Sequence, residues 1–337
     1  MSHRPNDAYF MFAFQTEKDT AAAAPLYYLR LLDGSEFGPD REVQVKRTAE
    51  AGRANDGVAV VGSMGSGGTL NFVAQPTALP AVIGGSIGDI ETTGSTDPYS
   101  HACSPDQTGA LPWITGWVKI GDVRMQIINL KANSLSLAVS SDDRLVAGTW
   151  ELMGAGKVTY QDDDPDTPAT AEAIANLFAW SMAKGAWKLD GATVGYIKKL
   201  ETVIRNNLVG IPGEDVFFYD IQEGVQDNEY SATTTIVDAS RYNTMVFGSA
   251  TPADDAEVSG SITEGSFETK FTLATTPAER SLAIKVTKSQ YRNPLPKLKI
   301  DPEGRPQDLV LTARCIGTDP KITYTIKNGT DSYAIGT

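Results

Sequence analysis

Short runs of strict apolar–polar alternation, broken by Gly, Pro, Asp and Asn, constrain this chain more than any other feature. In Phe267–Leu273, Phe267, Phe271 and Leu273 fall on one side while Glu268 and Lys270 fall on the other. Leu282, Ile284 and Val286 repeat the pattern, as do Ile322, Tyr324 and Ile326, Val43 and Val45, and Leu135, Leu137 and Val139 set among Ser134, Ser136 and Ala138. The stretch Tyr230–Val237 is rich in β-formers. A strand sends alternate side chains to opposite faces, so each run buries one face and wets the other. Runs this short, with turn residues between them, build antiparallel sandwiches or barrels. The expected fold class is mainly β.

One stretch departs from period two. Ile174, Leu177, Phe178 and Met182 recur at helical spacing; Asp166 or Thr167 is placed to cap, Pro168 to open and Gly185 to close. This predicts one flanking α-helix over 167–184. A weak internal repeat brackets it. Trp117, Gly121, Ile127 and Leu130 match Trp187, Gly191, Ile197 and Leu200 at one spacing of 70 residues, and Arg144–Leu152 resembles Tyr230–Asp238. The expected organisation is a first β unit over 1–160 with an N-terminal arm, an acidic linker and helix over 161–186, and a related β unit over 187–337. Residues 46–70 and 85–112, rich in Gly, Ser, Thr and Pro, read as long loops that order against a neighbour.

Charge excludes one class of partner. With 42 acidic and 29 basic residues the formal net charge is −13, so the surface repels phosphate and tight nucleic-acid binding by counterion release is not expected. A wall past which DNA slides without adhering is compatible with that balance. No apolar run reaches membrane-spanning length, and Met1–Asp7 lacks the layout of a secretory signal, so synthesis and folding in a cytosol are expected, without membrane insertion. The two cysteines, Cys103 and Cys315, suit neither a metal cluster nor a disulfide framework and read as inert thiols.

Several constellations invite a catalytic reading. Gly84-Gly85-Ser86-Ile87-Gly88 matches the nucleophile elbow, with His101 as the base and Asp89 or Asp97 as the third member, since the only other histidine is His3. No helix is expected after Gly88, so a glycine-rich turn is the plainer account. Asp97, His101 and Cys103 suggest a thiol nucleophile with equally little context. Asp162, Asp163, Asp164 and Asp166 lack the alternation of a calcium loop and suit the start of a helix. Gly62–Thr69 lacks the Lys of a phosphate loop, and Asn328-Gly329-Thr330 is a formal glycosylation sequon. Trp113, Trp117, Trp150, Trp180 and Trp187 read as core. No catalytic, cofactor or metal site is expected, and a structural or binding role follows.

Three stretches carry a resemblance to a known family. Pro98-Tyr99-Ser100-His101 through Leu111-Pro112-Trp113-Ile114-Thr115-Gly116-Trp117-Val118 is one. Ile128-Asn129-Leu130 to Leu152-Met153-Gly154, with its Ser-Leu-Ser-Leu strand and acidic turn, is the second. Trp187-Lys188-Leu189-Asp190-Gly191 through Val203-Ile204-Arg205-Asn206-Asn207-Leu208, followed by Val258-Ser259-Gly260-Ser261-Ile262, is the third. In order and spacing, over roughly 95–310, the chain resembles the tail tube proteins of siphophages. The resemblance implies β-sandwich tube domains that close into rings and stack into a hollow virion tail tube around a tape-measure protein, with tail tip and terminator proteins at its ends. Two tube domains per chain imply a trimeric, pseudo-sixfold ring; one implies a hexamer. Genome DNA would pass without specific binding. The family brings no catalytic residues and no cofactor. The competing expectation is another virion component, such as a capsid decoration protein, or a β-sandwich surface binding module.

Overall fold

Strands account for most of the chain in the computed structural model. It describes residues 8–46, 58–106, 109–183, 185–194, 197–214, 216–236, 239–260, 264–274, 278–292, 297–298, 302–303, 307–317 and 321–333. The first part contains β1 (Ala8–Phe14), β2 (Tyr27–Leu29), β3 (Glu36–Lys46), β4 (Val58–Val73), helix α1 (Leu79–Ile87), β5 (Gly88–Thr93) and β6 (Tyr99–Pro105). Then come β7 (Ile114–Ile120), β8 (Val123–Ser140), β9 (Ala147–Gly154) and β10 (Val158–Tyr160). The second part holds β11 (Lys188–Leu189), β12 (Ala192–Thr193), β13 (Ile197–Arg205), β14 (Val209–Pro212), β15 (Phe218–Gln222) and β16 (Asp227–Thr235). Helix α2 (Ser240–Phe247), β17 (Glu264–Ala274), β18 (Arg280–Tyr291), β19 (Asp308–Cys315) and β20 (Ile322–Asn328) complete it.

The strand ladders are antiparallel and form sandwich-type sheets, not a closed barrel. A front layer runs β3–β4–β9–β8–β13–β16–β19. Behind it lie β2–β1–β7 and β5–β6–β20–β18–β17–β11. Strand β8 belongs to both layers: its first half pairs with β7 and β10, its second with β9 and β13. The register slips between Ala132 and Ser134, and such a bulge is what lets one strand bend from sheet to sheet. The alternating residues behave as expected. Leu135, Leu137, Val139, Phe267, Phe271, Leu282, Ile284, Val286, Ile322, Tyr324 and Ile326 are all buried in one core that both halves share. Gly121 and Gly191 each take positive φ in a turn after a buried tryptophan; Ile127 and Leu130 are buried on β8, which follows its turn directly, whereas Ile197 and Leu200 are buried on β13, beyond the two-residue β12.

The flanking helix is not where spacing placed it. Residues 167–179 run without regular helix, Trp180–Ala183 makes a single 3-10 turn, and residue 184 lies outside the described residues. The backbone there bonds to the body instead of to itself. Phe178 N–H donates to the Ala74 carbonyl (3.3 Å), the Phe178 carbonyl accepts from Val146 N–H (2.9 Å), and Arg30 donates to the Glu172 carbonyl (3.0 Å). Of the would-be apolar stripe only Phe178 is fully buried, while Ile174 is 66% exposed. Tertiary bonding has overridden a modest helical preference. The helix that does pack into the sandwich is α1, buried at every position and ended by Gly88 in the left-handed region.

The stretches expected as loops are largely strand. Within 46–70, the described part is Lys46 at the end of β3 and most of β4, which pairs with β3 and then β9; residues 47–57 lie outside the described residues. Within 85–112 lie the end of α1, β5 and β6. Glycine serves β4 by closeness: a Cβ on Gly67, at φ +142°, would stand 2.1 Å from the Leu152 carbonyl oxygen. No helix among the described residues is long and apolar enough to cross a membrane.

Candidate assembly surface

Each catalytic constellation is dismantled by where its members sit. Ser86 is in the last turn of α1, fully buried, its hydroxyl donating to the Val82 carbonyl at 2.8 Å. The turn runs from helix to strand, the reverse of a nucleophile elbow. His101 on β6 has both ring nitrogens occupied, by Thr92 Oγ1 (2.9 Å) and Asn328 Oδ1 (3.0 Å). Asp97 is held by Arg280 (2.6 Å), which keeps its carboxyl below the usual range, and Asp89 begins the β5 edge. Cys103 and Cys315 are free and buried; burial pushes both thiols up, Cys315 to about 12, so neither is a thiolate near neutrality.

The acidic run also has a structural use. Asp164 accepts hydrogen bonds from Tyr9 (2.7 Å) and Arg124 (2.8 Å), and these hold its carboxyl below the usual range. It pegs the strap 161–176 across Met11, Ala13 and Trp117. Among the described residues no group of His, Cys, Asp or Glu can hold a metal ion. The sequon is unusable as an acceptor because Asn328 is 1% exposed. Gly62–Thr69 lies within β4. Trp117, Trp150 and Trp187 are buried and Trp180 packs on Trp187, but Trp113 is half-buried beneath the Lys131 ammonium at 4.2 Å.

What remains is surface, and the front sheet dominates it. One face is core; the other carries hydroxyls and charges in cross-strand rows. Asn71, Thr149, Ser136, Val203, Glu229 and Arg314 form one row, and Thr69, Glu151, Ser134, Arg205 and Asp227 the next. The cations here are committed to carboxylates: Arg205 to Glu229 (2.5 Å), Arg314 to Asp227 (2.7 Å), Lys198 to Asp308 (2.7 Å) and Lys199 to Glu201 (3.4 Å), with Arg292 also on Glu229. Burial disfavours the charge of Glu229, but its arginines outweigh burial and hold the carboxyl below its usual range. A phosphate approaching these rows meets short polar side chains and neutralised pairs.

The sheet stops without closing at either end. Among the described residues β3 pairs only with β4. At the far end β19 meets β18 only at Ala313–Cys315, so among the described residues Asp308–Leu311 has no strand on its outer side. An unpaired edge presents N–H and C=O groups that another strand can take.

Beyond one end of the sheet stand two projections. The β3–β4 hairpin overshoots β9, since β9 ends opposite Ser66 while β4 starts at Val58. Beside it lies the separate β14–β15 hairpin, docked by Met64 N–H on the Val216 carbonyl (2.6 Å) and Lys18 on the Tyr219 carbonyl (2.5 Å). Lys131, paired with Glu223 at 2.5 Å, steadies its far side. Val209, Ile211, Val216, Tyr219 and Val225 all sit exposed on or next to this hairpin. An open cleft of about 1050 Å³ separates the two projections, lined by Glu36, Asp40, Ser66, Glu151, Leu208 and Phe218 among others. Sequence reading missed this hairpin because Val209–Gln222 is too short and too interrupted to show alternation.

An antiparallel sandwich with two sheet ends open among the described residues and a polar, charge-paired outer face suits a structural subunit. Comparison with known proteins agrees: residues 5–326 match the family described as phage tail tube protein. The chain belongs to that family, whose members are structural proteins of phage tails. No curated protein matches it.

Proposed function

We propose that this protein is the major tail tube subunit of a siphophage, made in the host cytoplasm and built into the virion tail as stacked rings around a bore. The observation that carries this reading is the pair of open ends on one front sheet, β3 and the Asp308–Leu311 stretch of β19. Joining one copy's β3 to the next copy's β19 continues the sheet, and a heterologous contact that repeats with a closing rotation gives a ring. Each chain contributes two related halves, a first over 1–160 and a second over 187–337, so three copies make a pseudo-sixfold ring. The face bearing Thr149, Ser136, Glu201 and Thr233 lines the bore. DNA passes over it without a phosphate site, and before ejection a tape-measure protein fills it, with tip and terminator proteins at the ends.

Negative-stain microscopy and sedimentation of the concentrated full-length protein test the reading. Rings about a hollow centre, alone or stacked, are expected. A strict monomer at every concentration, or a closed oligomer that instead binds a capsid lattice or a glycan, rejects it.

A further inference from the structure

The cleft between the β3–β4 and β14–β15 projections is acidic and, among the described residues, open. Glu36, Asp40 and Glu151 line it and, among the described residues, no Lys or Arg does. Glu36 and Asp40 form no ion pair among the described residues, and Arg41 lies on the other side of β3 by alternation.

The complement sits at the opposite end of the same strands. Strand β9 ends at the cleft and begins after the β8–β9 turn, eight residues away, about 26 Å along the strand. That turn presents Arg144, exposed and without an ion pair among the described residues. Its backbone is pinned at φ +62°, with its N–H on the Ser140 carbonyl (3.0 Å) and its carbonyl taken by Trp180 N–H (2.8 Å). The neighbouring acids are engaged locally: Asp143 accepts from the Ser140 hydroxyl (3.1 Å) and Asp142 from that of Ser141 (3.4 Å).

We propose that the cleft is a socket for the β8–β9 turn of a second copy, with that copy's Arg144 entering between Glu36 and Asp40. The inference rests on the tube reading and adds which elements meet. Because cation and carboxylates lie at opposite strand ends, the contact is head-to-tail and repeats along an axis without closing, as a stack requires. Opposite charge fixes its register.

The test uses full-length protein in four forms: wild type, Arg144→Glu, Glu36→Lys with Asp40→Lys, and all three together. Lys285→Glu, an exposed cation elsewhere, is the control. Tube mass by sedimentation and tube length by microscopy should fall about tenfold or more for either charge reversal and recover in the triple variant. The control should match wild type. Circular dichroism verifies that each variant is folded. Arg144→Glu tubes indistinguishable from wild type, or a folded triple variant that does not recover, overturn the socket and leave the tube reading standing. A wild type that never forms rings or tubes overturns both.

Discussion

His101 on β6 donates from Nε2 to the Oδ1 of Asn328 on β20, 3.0 Å away, and both side chains are buried. An amide oxygen only accepts, so Nε2 carries the proton and Nδ1 takes the hydroxyl of Thr92. The Asn328 amide NH₂ then donates to the Pro76 carbonyl (2.7 Å) and to Tyr333 (2.8 Å), whose own hydroxyl donates to the Thr77 carbonyl (2.6 Å). A neutral imidazole thus ties the last strand to the segment leading into α1.

Removing the Asn328 side chain leaves several of these buried groups without partners. Asn328→Ala should cost about 2–3 kcal/mol, read from urea midpoints with an unchanged slope. Burial pulls the His101 pKa below its ordinary value near 6.5. Around that pH the unfolded chain therefore binds more protons, and stability is full above 6.5 and declines as pH falls through and below it. His101→Gln should remove that component of the decline between pH 7 and 5. Identical slopes of stability against pH for the two proteins would contradict the assignment.

Glu279 governs a more acid window. Hydrogen bonds from Lys270 and then Lys327 pull its carboxyl down to about 2. A depressed carboxylate stabilises above its unfolded value near 4.5, and that stabilisation is lost as pH drops from there toward 2. The cluster is largely solvated, so Glu279→Gln should cost only about 1 kcal/mol or less at pH 7. Its unfolding midpoint should change less than wild type's between pH 5 and 2.5.

Gly148 on β9 lies under the Phe72 ring, where an added Cβ would come within 2.2 Å of Cζ. Phe72 is 1% exposed and packed in the core, so it has nowhere to turn. Gly148→Ala should destabilise by about 1–3 kcal/mol, measurable as a lower calorimetric midpoint.

The strap 161–176 depends on its peg. Asp164→Ala frees Tyr9 and Arg124 while leaving the core intact. Protease cleavage within the strap should quicken several-fold, by mass spectrometry of timed digests, while global stability shifts by about 1 kcal/mol or less. Equal digestion of variant and wild type would count against the peg.

The sequence made the strands legible where side chains alternate, because period two survives whatever packs on the buried face: Leu282, Ile284 and Val286 lie inward as expected. The elements that escaped it obey other rules. Leu79–Ile87 is apolar on all sides, so it has no stripe to reveal a helix. Strand β4 is disguised by glycines whose reason, close approach of Gly67 to the Leu152 carbonyl and of Gly68 to the Glu36 carbonyl, exists only after folding. The 167–184 pattern misled because Asp164, Glu172 and Phe178 are chosen for anchoring a strap, not for turning a helix. The polar front face was not legible, because it needed the register that sets Ser134, Glu151 and Arg205 side by side.

The β8–β13 ladder has a mechanical meaning. Seven residue pairs, Ser134–Ser140 against Lys199–Arg205, join the halves of the chain edge to edge. To swing one half against the other, those rungs would have to be sheared, so this ladder stiffens the subunit where the halves meet. Bending of a body made from such subunits falls more readily on the joints between them.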